Sequence, residues 1–343
     1  MKKKLSLQKN YYTFLLLGLF AVILIIFSIT KGKTLWTLAT WKSMCMQFPE
    51  YGVFTLGVMV CFISGNMDLS FVAVGDFASI IAVKIMLLAT DGTVPESQTG
   101  LMIVLGILAA MGIGAVAGII NGNLIARLKI PPVLATLATQ QVFRGISTGI
   151  TQGYAVTGIP AIYSEIGHKM VFGFIPMPML VFIIVLLVVG FLVKYTTYGE
   201  KLYMIGANPK AARFSAINTT KMINVTFMIS GICAAIAALL MVSSMNSAKA
   251  DYGTSYMMRA ILILVLAGVL PDGGMGKIFN VIVAIITIQV IATSVNMFPE
   301  LNTYYGSLIW GALLLIVLMA TTRLLGERKA KKTEKKPAPE PAG

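Results

Sequence analysis

Residues 198–222 read YGEKLYMIGANPKAARFSAINTTKM, a polar, basic run between two apolar blocks, Pro178–Tyr195 and Met222–Ser243. How those blocks are read decides the fold. If they are core helices of a soluble protein, the run is a surface loop. If they cross a bilayer, it is one of the segments that fixes which side is which. Hydrophobic residues make up 57% of the chain and charged residues only 12%, against roughly 25% charged in soluble domains. The apolar residues fall in ten blocks: Tyr11–Thr30, Phe48–Ser64, Phe71–Ala89, Leu101–Ala126, Val133–Ile150, Pro178–Tyr195, Met222–Ser243, Met257–Leu270, Ile278–Phe298 and Tyr304–Thr322. Crossing the hydrocarbon takes about 20 residues of helix. Most blocks suffice alone, while Val133–Ile150 and Met257–Leu270 are short and need protection by neighbours. A soluble fold has too little surface to cover ten such helices. Lys2, Lys3, Lys4 and Lys9 precede the first block as in a signal peptide, but no small-x-small cleavage pattern follows, so it is kept as the first span. The expected fold is an all-α polytopic membrane protein with about ten transmembrane helices. Gly112, Gly114 and Gly118 are expected to let the fourth span pack closely.

Lys and Arg concentrate on the cytoplasmic side of membrane proteins. With the N-terminus inside and ten crossings, the outer segments hold only Lys31, Lys33, Lys42, Lys169, Lys249 and Arg259, and Lys84 and Arg144 lie inside spans. The remaining cations fall inside. This predicts both termini in the cytoplasm, a transmembrane domain over 1–322 with a basic loop at 196–221, and a disordered basic cytoplasmic tail over 323–343. The net charge of +14 then reflects topology and anionic headgroups, not nucleic acid.

Within the loop, Asn208 is a good helix N-cap and Pro209 suits the first helical position. Lys210–Ser215 can form one or two turns, too short to be stable alone in water. Such a helix either lies on the membrane surface or docks on a partner, with Lys210 and Arg213 offered to acidic groups.

The same run resembles the cytoplasmic coupling loop of sugar-type, ribose-transporter-like ABC importer permeases, whose pattern is roughly Y-G-x-x-x-Y-x-I-G-x-N-x-x-A-A-R-x-S-G-I. Here it stands as Tyr198-Gly199, Tyr203, Ile205-Gly206-Ala207-Asn208, Ala211-Ala212-Arg213 and Ser215-Ala216-Ile217. Further matches run in order along the chain. Gly65-Asn66-Met67-Asp68-Leu69-Ser70 is similar to G-G-x-D-L-S. Asn121-Gly122-Asn123-Leu124-Ile125-Ala126, Lys129-Ile130-Pro131-Pro132, Thr136-Leu137-Ala138-Thr139 and Arg144-Gly145 follow, and then the Gly273-Gly274-Met275-Gly276 turn. The departures are Ala216 and Ala207 for glycines, and Ser255–Leu262, where family acids are replaced by Met257 and Arg259. The resemblance implies that Gly206, Asn208, Pro209, Ala211, Ala212, Arg213 and Ile217 form the ATPase-coupling element, and that Gly65, Asp68 and Ser70 belong to a structural motif. It implies separate ABC ATPase subunits, an extracytoplasmic solute-binding protein, a second permease chain (identical or paralogous), and a bacterial inner-membrane location. The solute implied is a monosaccharide or similar small polyol. The altered Met257–Arg259 stretch leaves open autoinducer-2, nucleosides or branched-chain amino acids, permeated by the same superfamily. An ion-coupled secondary transporter, with Asp76 and Lys84 as coupling groups, is the rival from another class.

No G-x-x-x-x-G-K-[ST] occurs, so the chain is not read as the ATPase or as an enzyme. No cofactor is expected in it, with ATP and Mg bound by the partner ATPase. His168 has no nucleophile or metal-ligand companion, and Cys45, Cys61 and Cys233 form neither a disulfide framework nor a metal site. Asp68 is favoured as the N-cap of the third span. Asp76 lies too far from Lys84 for an i, i+4 pair, so its contacts must come from another span. The pathway candidates are Asn121, Gln140, Arg144, Gln289 and Asn296, with Gln141 beside them. Polar groups inside a membrane line a cavity or bind helices together. Spans 2–5 and 7–10 have the opposite orientations of an inverted repeat, with Pro131 and Pro299 at comparable places.

Overall fold

A computed structural model describes residues 2–171, 173, 175–298, 305–306 and 308–319. The expected tail at 323–343 lies outside the described residues. Within them the chain is mostly helical: α1 (Lys2–Leu35), α2 (Leu38–Ile63), α3 (Phe71–Leu87), α4 (Thr99–Ala126), α5 (Pro132–Thr151), α6 (Ala161–His168), α7 (Met177–Tyr195), α8 (Thr197–Ala207), α9 (Pro209–Phe214), α10 (Thr219–Met245), α11 (Thr254–Leu266) and α12 (Ile278–Val295), then α13 (Leu308–Met319). Each of the ten apolar blocks has its described residues mainly on one of these helices, the tenth over Leu308–Met319. Among the described residues, six segments are long and apolar enough to cross a membrane: Thr13–Leu35, Leu38–Ile63, Glu96–Ala126, Met177–Tyr195, Thr219–Met245 and Ile278–Val295. The other four blocks lie on shorter or more polar helices, α3, α5, α11 and α13.

The core forms around α2 and α10. Every residue of α2 from Glu50 to Ile63 is buried, as expected of a helix that is apolar all round and enclosed by neighbours. The helix starts ten residues before its apolar block because the Thr37 hydroxyl caps it, accepting from the Thr40 amide. α10 packs most extensively on α4. A Cβ on Gly118 would lie 2.2 Å from the Phe227 carbonyl oxygen, and Gly114 and Gly231 face each other as tightly. These glycines bring two backbones into contact, the close approach that membrane helices use when water cannot drive association. Gly112 differs from the expectation, since its α-carbon faces open space.

Two short antiparallel pairings, Val156–Thr157 with Ser247–Ala248 and Met170–Val171 with Ile175–Pro176, join α6 in closing the end of the bundle remote from α9.

Candidate functional site

The basic run folds as α8 and α9. Asn208 takes an extended backbone, and its Oδ1 accepts the Ala211 amide at 3.0 Å with Pro209 in the first helical position. The local reading of this cap therefore holds. At the other end, the Ile217 amide reaches the Ala212 carbonyl and the Ala216 amide reaches the Arg213 carbonyl, the paired bonds of a Schellman motif. The motif puts its second residue past the helix in the left-handed region, and Ala216 has φ +57°. A glycine there is free of the Cβ penalty, so Ala216→Gly is expected to stabilise this turn by about 0.5–1 kcal/mol. Slower hydrogen exchange of the Ala216 and Ile217 amides would show it, and faster exchange would contradict it.

The structure divides the expected coupling residues into two faces. Pro209, Lys210, Ala211 and Arg213 are exposed, whereas Ala212 is only 2% exposed and turns into its own chain. Bulk at position 212 would therefore disturb α9 itself before it met any partner. Phe214 is 93% exposed. The sequence pattern gave it no role, because a single Phe in a basic run is not distinguishable from one that folds inward. Arg213 Nε donates to Thr219 Oγ1 at 3.2 Å, tying α9 to the start of α10.

Behind α9, three motifs that are far apart in sequence meet. Gly206 ends α8 against the turn after α2 and the Gly273-Gly274 turn, where an added Cβ would stand 2.0 Å from the Ile63 carbonyl oxygen and 2.4 Å from the Gly274 nitrogen. The Gly274 amide donates to that same Ile63 carbonyl at 2.8 Å. Tyr203 Oη donates to the Gly276 carbonyl at 2.8 Å, and burial raises its phenol above the ordinary range, so it remains a neutral donor. Tyr198 Oη bonds Thr226 Oγ1 on α10. α8 and α9 are thus held by backbone contact to the end of α2 and the turn between α11 and α12, and by side chains to α10.

The Gly65–Ser70 turn is structural. Asp68 Oδ1 accepts from the Ser70 amide and hydroxyl, and Oδ2 accepts from Ser230 Oγ on α10 at 2.7 Å. The N-cap position itself is Ser70, so Asp68 secures the turn two residues earlier than a cap would. Asn121 Nδ2 donates to Ser70 Oγ, and Thr139 Oγ1 donates to Asn121 Oδ1. One buried chain of hydrogen bonds therefore links α10, the α2–α3 turn, α4 and α5.

The pathway candidates separate in the same way. Asn121 is satisfied inside that chain. Gln289 is buried, accepting from Tyr51 Oη at 2.6 Å and donating to Thr293. Asn296 is exposed at the end of α12. Gln140 and Arg144 approach the first turn of α11: Gln140 contacts the Met257 sulfur, and Arg144 Nη2 donates to Thr254 Oγ1 at 2.7 Å. Arg144 Nε is buried with no partner among the described residues. Asp76 takes its contact not from another span but from the turn that caps α11, with the Gly253 amide donating to it. Lys84 reaches the Ile150 carbonyl instead.

α5 packs mainly on α3 and leaves an exposed stripe of Gln141, Gly145, Thr148 and Gln152. Gln141, Gly145 and Thr148 fall on one face at helical spacing together with the exposed Leu134 and Leu137, and Gln152 is the C-cap beyond the helix. Sequence reading missed a third buried acid beside Asp68 and Asp76, Glu50, which accepts from the Tyr256 and Ser244 hydroxyls. Its signal was a lone carboxylate two residues into an apolar block. Arg259 lies above the rings of Trp310, Tyr256 and Tyr51 at 4.7, 5.6 and 6.0 Å, a cation–π cage. Two of the residues that depart from the resemblance, Met257 and Arg259, thus lie together at the start of α11.

A family model described as "Branched-chain amino acid transport system / permease component" matches residues 42–318. The chain is 29% identical over 291 residues to the autoinducer 2 import system permease protein LsrD of Escherichia coli K12, covering 83% of this chain and 84% of that one. It shows the same identity and coverage to the LsrD proteins of Shigella flexneri and Escherichia coli O157:H7. No solved structure matches it.

Proposed function

The chain belongs to the family of branched-chain amino acid transport system permease components, and from that premise we propose that it is the membrane permease subunit of a binding-protein-dependent ABC importer for a monosaccharide or similar small polyol. ATP and Mg are bound by separate ATPase subunits, a solute-binding protein delivers the solute, and a second permease chain completes the path. The observation that carries this reading is α9, a short capped helix that exposes Pro209, Lys210, Ala211, Arg213 and Phe214 while its base is locked to the end of α2 and the turn between α11 and α12. A push on α9 moves the spans instead of bending a loop. The proposed topology keeps ten spans with both termini cytoplasmic and an inverted relation between spans 2–5 and 7–10. The loop 196–221 is then cytoplasmic.

The path wall is assigned to α5 and the start of α11. Gln141 and Thr148 call for water or a polar partner beside the C-terminal half of α5, whereas the exposed Leu134 and Leu137 leave its first turns to apolar contact. In a variant lacking native cysteines, single cysteines at Gln141 and Thr148 should react with a charged methanethiosulfonate at least roughly tenfold faster than one at the exposed Ile120, because the thiolate needs water. Equal rates would remove α5 from the path.

The names of the similar permeases favour a second reading, in which the solute is autoinducer 2. Binding by the partner solute-binding protein separates the two. Uptake into vesicles that lack any ATPase subunit would instead support an ion-coupled carrier.

A further inference from the structure

Between α4 and α10, at the end of the bundle that carries α9, lies a groove of about 440 Å³ lined by Ile119, Arg127, Asn218, Lys221, Asn224 and Met228, among others. Its two ends differ in chemistry. Arg127 and Lys221 sit at the rim, both exposed, and neither has a carboxylate partner among the described residues. Ile119 and Met228 lie about two helical turns deeper, roughly 12 Å along their helices at 1.5 Å per residue. The floor is rigid, because a Cβ on Gly122 would stand 2.7 Å from the Asn224 α-carbon. Asn224 donates its amide to Asn123 Oδ1, which leaves its own Oδ1 buried without a donor among the described residues. That oxygen packs against Gly122 inside the α4–α10 seam and is closed to the groove, so recognition rests on the rim cations.

We propose that this groove is a binding site for an anionic phospholipid of the phosphatidylglycerol type. The phosphate sits between Arg127 and Lys221, and an acyl chain runs down past Ile119 and Met228. Two unneutralised cations above an apolar strip match a phospholipid in both charge and shape, and the lipid surface supplies such a ligand at high local concentration. The site also abuts the coupling segment. Asn218 lies one residue beyond Ile217, which closes the α9 turn, and one residue before Thr219, which holds Arg213. An occupied groove therefore fixes the point from which α9 projects.

The test is native mass spectrometry of the full-length, delipidated protein titrated with palmitoyl-oleoyl phosphatidylglycerol, the matching phosphatidylcholine, or inorganic phosphate. The wild type is expected to prefer phosphatidylglycerol. The double variant Arg127→Gln, Lys221→Gln should bind it about 30-fold more weakly, at about 1 kcal/mol for each of two surface cations. Lys194→Gln with Lys201→Gln removes the same charge from the same end and should leave binding unchanged. All four positions are exposed, so both variants are expected to fold, which gel filtration checks. Three results would overturn the proposal: equal weakening in the two double variants, equal binding of the two lipids by the wild type, or displacement of the lipid by inorganic phosphate at comparable concentration.

Discussion

Gly206→Ala is expected to cut sharply the recovery of folded protein, although the change adds one methyl group. The new carbon would stand 2.0 Å from the Ile63 carbonyl oxygen and 2.4 Å from the Gly274 nitrogen. Both neighbours are backbone, and they are bonded to each other at 2.8 Å. No side chain can rotate away, so relief requires parting α8 from the α2 turn or breaking that bond. Overpacking at sites with some freedom costs about 1–3 kcal/mol. Here about 3 kcal/mol or more is expected, a large share of the roughly 5–15 kcal/mol that holds a typical protein folded. Gly112→Ala is the matched control. Nothing lies within 4 Å of its new carbon, and within a helix alanine is favoured over glycine by about 1 kcal/mol. Yield of monodisperse protein and the thermal midpoint in detergent measure both. A Gly206→Ala protein as stable as the wild type would mean that the three-turn junction does not hold α8 in place.

What was legible in the sequence was what is decided locally. Apolar block length located the helices, because hydrocarbon imposes a length on whatever crosses it. The α9 cap was legible because Asn208 and Pro209 act within four residues. Ala212 was not, since the side of a two-turn helix that faces inward depends on Thr219, the start of α10 and the packing of α8. The junction of Gly65, Gly206 and Gly273 was beyond reach for the same reason: three turns separated by long stretches of chain specify one another only in space. Polarity alone put Asn121 and Gln289 among the path residues, yet their partners inside the bundle, Ser70, Thr139 and Tyr51, satisfy them. Gln141 was noticed beside Gln140, and the structure separates them, with Gln140 buried and Gln141 exposed. Glu50 was overlooked because its block was weighed as a whole, and one carboxylate hardly changes an average.

Phe214→Ala is expected to uncouple the permease from its ATPase while leaving the permease intact. Phe214 is 93% exposed at the tip of α9, beside exposed Lys210, Ala211 and Arg213. An aromatic ring held out on a braced helix has the form of an interface anchor, and removing such an anchor costs about 2 kcal/mol or more, roughly 30-fold in affinity. The ring touches little of its own chain, so insertion and thermal stability should change by less than about 0.5 kcal/mol. The central claim, that this chain is driven through α9 by a separate ATPase, is tested most directly by affinity purification of the solubilised complex, wild type and Phe214→Ala in parallel. The account predicts that a chain carrying a G-x-x-x-x-G-K-[ST] phosphate loop co-purifies in stoichiometric amount with the wild type and is lost from the variant. Retention of that chain by Phe214→Ala at wild-type yield, or its absence from the wild-type complex, would contradict it.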